Sequence, residues 1–248
     1  MIIAEVGLNH LGSFSLAKKY IEFLKTTDVQ AVTFQVREKD FYLRKEKKHL
    51  SLDKKEYMEL CRLSKDYGKQ FGVAIADLEQ INFFESIGTD FYKIIRNDMK
   101  NDILVSKLIE TGKKVIVSTG LSSEKDIETF VKKYGKFKTI VLNHTQLSYK
   151  TEDCNLVAIQ SMRDKYNTNV SFGSHCSNQN VLYMSLCYHP SDILFYVKVG
   201  DTLEYPDDRH AVSLKQVPAL ATDLRNLASA VGTGQKLEIG NKIKEMAI

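Results

Sequence analysis

The residues of this chain that could do chemistry stand at the ends of short apolar runs. Glu5 interrupts Ile2-Ile3-Ala4-Glu5-Val6, and Asn9 and His10 follow at once, ahead of Gly12 and Ser13. A carboxylate in so apolar a run is costly to bury alone, so Glu5 reads either as a group with a task or as one neutralised by a lysine. The arrangement recurs along the chain. Gln35 closes Ala31-Val32-Thr33-Phe34-Gln35, Lys93 and Arg96 close Asp90-Phe91-Tyr92-Lys93-Ile94-Ile95-Arg96, and Ser118 and Thr119 close the run that begins at Lys114. Gln146 follows the run 139–143, Ser174 and His175 follow 169–173, Lys198 ends 193–199, and Asp208 and His210 lie in the loop after it. Such groups offer proton transfer through carboxylate and imidazole, and anion binding through ammonium and guanidinium.

The elements that must position these groups alternate regularly. Apolar runs at 2–6, 31–36, 71–76, 90–95, 114–118, 139–143, 169–173 and 193–199 read as strands buried on both faces. Between them, helical spacing covers 15–25, 53–67, 81–87, 103–111, 123–134, 155–166, 179–188 and 214–231. Eight strand–helix units in about 250 residues predict an α/β fold, a (β/α)8 TIM barrel in a single domain over 1–236, with a short C-terminal tail over 237–248. In that architecture the C-terminal ends of the strands form the mouth where chemistry is done, and the polar residues named above all fall there.

Composition narrows the class of function. The 248 residues carry a formal net charge of +4 with mixed signs. The local basic cluster from Arg37 to Lys48 reads as a solvated loop, so nucleic acid is not an expected partner. No run approaches the roughly 20 apolar residues that span a bilayer, and Met1 leads straight into strand-like sequence, which predicts a cytoplasmic protein without a membrane partner. Cys61, Cys154, Cys176 and Cys187 lie far apart and read as reduced thiols rather than as a disulfide framework or zinc site.

Several motifs in order resemble the sialic acid synthase (N-acetylneuraminate synthase) family. Ile3-Ala4-Glu5-Val6-Gly7-Leu8-Asn9-His10-Leu11-Gly12-Ser13 is similar to its opening IAExGxNHxGS, Ala31 to Gln35 to its AVKFQ, Phe91 to Ile94 to its xxKI, Lys114 to Gly120 to its KPVILSTG, and Pro206 to Leu214, more loosely, to its PGPDHxxSL. The resemblance implies a transferase that condenses phosphoenolpyruvate with an acylamino sugar aldehyde to make a nonulosonic sugar for surface carbohydrate. It implies Glu5, Lys93 and His175 as catalytic positions and Gln35 and Ser118 as substrate-binding ones. From their place at the same strand ends and in the loop after the last of them, Lys198 is expected to join the catalytic positions and Asn9, His10, Arg96, Thr119, Gln146, Ser174 and Asp208 the substrate-binding ones. The resemblance also implies a divalent metal, Mn or Mg, and leaves a homodimer open.

The departures set the questions. Thr33 stands where the family has a lysine, and Arg96 is expected to restore that charge for phosphoenolpyruvate. Lys198 stands where the family has its second metal histidine, and an ammonium does not ligate a metal while charged. Two arrangements follow: the Lys198 ammonium beside Glu5 takes the place of the metal's charge, or His175 and His210 rebuild a metal pair. A chain without the antifreeze-like C-terminal domain of bacterial members is the expectation. The alternative reading is a catalytically altered relative that binds a sugar acid or serves as a partner subunit.

Overall fold

The computed structural model describes residues 1–236; the tail expected over 237–248 lies outside the described residues. Eight strands, β1 (Ile2–Gly7), β2 (Ala31–Val36), β3 (Gln70–Ile75), β4 (Phe91–Ile94), β5 (Lys114–Ser118), β6 (Ile140–His144), β7 (Asn169–Ser174) and β8 (Ile193–Lys198), pair in parallel in chain order. The sheet closes because β1 also pairs with β8, with Ile2 opposite Ile193 and Glu5 opposite Tyr196. A short strand β9 (Val212–Ser213) adds to the end of β8, with Lys198 opposite Ser213. The architecture is the (β/α)8 barrel that the alternating pattern predicts.

Side chains alternate across a strand, so every second residue enters the barrel. Ile3, Ala31, Phe91, Ile116, Val141 and Leu194 form one apolar cluster there. Two positions further along their strands, the same face carries Glu5, Thr33, Lys93, Ser118, Asn143 and Tyr196, all buried. The barrel interior is thus oil below and polar above. At the lower end, buried Asp192 is neutralised by the Met1 ammonium at 3.0 Å and Lys114 Nζ at 2.7 Å.

Apart from the short second one, whose Phe41 packs with Leu8 and Leu50 in a separate cluster, the helices bury their apolar faces on the outside of the sheet. They are α1 (Phe14–Leu24), α2 (Lys39–Leu43), α3 (Lys54–Asp66), α4 (Ile81–Ser86), α5 (Asp102–Glu110), α6 (Glu124–Tyr134), α7 (Val157–Tyr166), α8 (Asn180–Ser185) and α9 (Val217–Val231). Local chemistry starts them. Ser13 accepts from the Leu16 N–H, and Asp53 with Glu56 and Ser123 with Asp126 make reciprocal capping boxes at α3 and α6. Helix α9 begins after a 3₁₀ turn at Leu214–Gln216, three residues later than its spacing suggests, with Pro218 in its first turn.

The segment read as a solvated basic loop departs from that reading. Arg37 is buried, its guanidinium pairs with Glu38 and lies 4.1 Å over the Phe41 ring, and the five residues that follow Glu38 form α2. The four thiols are free, with Cys187 exposed and the others buried. Among the described residues no helix is long and apolar enough to cross a membrane.

Candidate active site

Glu5 and Lys93 are brought together from β1 and β4 inside the barrel. The Lys93 ammonium donates to Glu5 Oε1 at 2.5 Å, both side chains are almost fully buried, and Glu5 Oε2 has no partner. Breaking such a pair costs about 3–5 kcal/mol, because the remaining charge is left buried and uncompensated. Above the pair lies a cavity of about 270 Å³ walled by Gln35, Lys93, Arg96 and Ser118 on one side and by His175, Tyr196, Asp207 and His210 on the other. Ile95, Thr145, Leu147 and Tyr149 complete the wall. Arg96 adopts a left-handed backbone conformation, φ +50°, which is strained for a side-chain-bearing residue and sets it at the start of the loop after β4.

The imidazoles gather on the β7–β8 side. His175 and His210 face each other with ring centres 4.7 Å apart, and the Tyr196 ring stands 5.5 Å and 4.9 Å from them. Thr145 Oγ1 and His175 Nδ1 are 3.0 Å apart, which fixes that ring, while both nitrogens of His210 are buried without a hydrogen-bond partner. Burial, the neighbouring imidazole and the Lys93 ammonium press the pKa of His175 down to about 3; burial and Lys93 press that of His210 down to about 4. Both rings are therefore neutral at pH 7. Asp207 Oδ1 lies 3.9 Å from His210 Nε2, too far for a hydrogen bond and opposite a ring that carries no charge.

Other expected residues take supporting or separate places. Asn9 is fully buried beside the mouth: its Nδ2 donates to Val197 O at 2.9 Å and its Oδ1 accepts from the Asp207 N–H at 3.2 Å. His10 lies under the loop, with Nδ1 accepting from the Gly12 N–H, and burial lowers its pKa to about 4. Ser174 Oγ accepts from the Cys176 N–H. Thr119 donates to Asn143 O, and both Thr119 and Gln146 face a separate cleft between α6 and α7. Lys198 turns away from Glu5: its ammonium is held by Asp201 at 2.9 Å and Asp208 at 3.0 Å. Asp208 is thereby occupied outside the cavity, and the ammonium that does stand beside Glu5 is that of Lys93. Sequence reasoning passed over Asp207, Tyr149 and Tyr196, all of which wall the cavity.

The closed parallel barrel that carries this cavity has relatives among known proteins. The model of the NeuB family matches residues 17–236. The chain belongs to the NeuB family. It is 26% identical to the N,N'-diacetyllegionaminic acid synthase of Campylobacter jejuni over 95% of this chain and 78% of that protein. It is 28% identical to an uncharacterised protein of Methanocaldococcus jannaschii over 95% of this chain and 73% of that protein. Among solved structures, the N-acetylneuraminic acid synthetase of Leptospira borgpetersenii, in complex with citrate, superposes with a TM-score of 0.90 at 28% identity, covering 99% of this chain and 89% of that one.

Enzymes of the NeuB family work with a divalent metal, so the donors in this mouth bear on it directly. Among the described residues no group of three or more His, Cys, Asp or Glu side chains is placed to hold a metal ion. His175 and His210 are two adjacent imidazoles: the Thr145 contact orients His175 and leaves its Nε2 free, and His210 has no partner on either nitrogen. The Asp207 carboxylate is at 3.9 Å from His210, so two neutral rings are the only close nitrogen donors here among the described residues. The Lys93 ammonium stands close enough to both rings to depress their basicity, and it would repel a dication placed between them. Two imidazoles beside an ammonium make a donor set that does not fit a metal.

Proposed function

We propose that this NeuB-family chain is a transferase condensing phosphoenolpyruvate with an acylamino sugar aldehyde, giving a nonulosonic sugar for surface carbohydrate and inorganic phosphate. The observation that carries the reading is that Lys93 and Arg96 line one cavity from the same side, over Glu5. A forked guanidinium and an ammonium suit the phosphate and carboxylate of phosphoenolpyruvate. Arg96 then supplies the cation that Thr33 lacks, a compensation an inactive relic would not need.

The remaining walls take the sugar. Gln35 and Ser118 offer hydrogen bonds to its hydroxyl and acylamino groups, and Tyr149, Leu147 and Tyr196 offer faces for its carbon skeleton. His175 and His210, neutral and largely buried, act as hydrogen-bond partners for the aldehyde oxygen. When phosphoenolpyruvate enters, Lys93 can shift from Glu5 to the substrate anion, leaving the carboxylate free for a sugar hydroxyl. A screen of acylamino sugars with phosphoenolpyruvate, read as phosphate release, tests the reading; release with none of them, while calorimetry shows phosphoenolpyruvate bound, would support the altered relative instead.

A further inference from the structure

The geometry points to Asp207 as the acid–base catalyst of the condensation, an inference that rests on the function proposed above. Its carboxyl group walls the cavity, across from Lys93, and neither carboxyl oxygen accepts a hydrogen bond from the described residues. Its backbone is nevertheless fixed, because the Asp207 N–H donates to Asn9 Oδ1 while Asn9 Nδ2 is anchored on Val197 O of β8. Space for the carboxyl is left by Gly7, whose backbone is left-handed at φ +56°. A Cβ there would stand 3.3 Å from Asp207 Oδ2 and 2.8 Å from the Tyr196 ring. The loop thus delivers one free carboxyl group, held by main chain, to the place where the reacting carbons meet.

The charges facing it tune it for both directions of proton transfer. Glu5 from β1 raises its pKa, Lys93 from β4 lowers it, Tyr196 of β8 and Tyr20 of α1 are neutral neighbours, and His210 on its own loop is neutral. With burial as the largest cause, the balance stands at about 7, near the optimum for a group that must give and take a proton at neutral pH. In the step assigned, the methylene carbon of phosphoenolpyruvate forms a bond to the aldehyde carbon, and the aldehyde oxygen takes the carboxyl proton of Asp207 to become a hydroxyl. Water then adds to the electron-poor C2 and gives one proton back to the Asp207 carboxylate. The C2–O bond to phosphate breaks, the second water proton leaves with the phosphate, and a keto group remains, so protons and electrons balance over one turnover.

The test compares the full chain with Asp207→Asn and Asp207→Glu. Asp207→Asn is expected to lower kcat about a hundred-fold or more, with phosphoenolpyruvate affinity by calorimetry and Tm near those of the parent. Its kcat profile should lose the limb that falls as pH rises through about 7. Asp207→Glu should recover part of the rate with a shifted limb. Turnover of Asp207→Asn within about three-fold of the parent, an unmoved pH limb, or an equal loss of substrate affinity and stability would each overturn the assignment. Absence of turnover by the parent with every acylamino sugar would overturn the synthase reading and the assignment with it. Parent turnover beside an unaffected variant overturns the assignment alone.

Discussion

Arg96 carries no structural burden that its guanidinium would be missed for: it is exposed at the cavity edge, in a strained backbone, with no carboxylate within ion-pair distance among the described residues. Arg96→Ala should therefore weaken phosphoenolpyruvate binding by an order of magnitude or more while leaving Tm nearly unchanged, as calorimetry and thermal melts would show. Lys93 is the opposite case. Lys93→Met leaves the Glu5 carboxylate buried without its partner, so a loss of about 3–5 kcal/mol in denaturant unfolding is expected alongside the loss of binding. A Lys93→Met protein as stable as the parent would mean that Glu5 finds another cation. The residues legible in the sequence were those that broke an apolar run: Glu5, Lys93, Gln35, Ser118 and His175 had to project from a strand end. Tyr196 was passed over because an aromatic in a strand reads as core, and Asp207 because nothing in an irregular loop separates it from Asp208. The direction of Lys198 depended on two acids whose positions only the folded loop settles.

Loops and caps are the elements where single changes should tell most. Asp53 closes a reciprocal box at the start of α3, exposed to solvent and outside the wall of the cavity. Asp53→Ala should cost about 1 kcal/mol of stability in denaturant melts and leave phosphate release unchanged. Gly12 is less forgiving. Its backbone sits at φ +71°, and a Cβ there would fall 1.6 Å from the carbonyl oxygen of His49, so the loop after β1 and the segment after α2 touch through main chain. Gly12→Ala should destabilise by more than the roughly 1–3 kcal/mol of backbone strain alone, because one of the two segments must move. That contact is invisible to periodicity, as is α2 itself. Five residues amid basic neighbours show too little repeat to be told from a loop, and the burial of Arg37 comes from Phe41 and Glu38 rather than from any spacing. Helices with full turns and caps, such as α3 and α6, were legible to within a residue or two.

The barrel as a whole shows a sensitivity to acid that follows from its buried imidazoles. His10, His175 and His210 have folded pKa values pressed to about 4, 3 and 4, below the ordinary 6.5. Through these three groups the unfolded chain binds more protons once pH falls under 6.5, so their contribution is full above that value and drains as pH drops toward 4. It is opposed in part by the one proton that Asp207, held up to about 7, binds in the folded chain. Tm should fall through this window, and His210→Gln should flatten the fall; a Tm constant from pH 7 to pH 4.5 would contradict the neutral, buried assignment. At this scale the sequence was most legible, since eight repeats of one pattern admit few closures. What it could not display was how the interior is layered.

That layering has a consequence for the protein's history. The six apolar side chains at the lower end of the barrel could have been continued upward, yet the next layer holds Glu5 Oε2, Thr33 Oγ1 and Asn143 Nδ2 without protein partners. Each is a polar group that a sequence selected for thermal endurance alone would have discarded. Thr33→Val, which keeps shape and removes the hydroxyl, should raise stability by about 1 kcal/mol in denaturant melts. Directed evolution of this chain for heat resistance should accordingly collect its first gains in that layer, and turnover should be lost in the same clones.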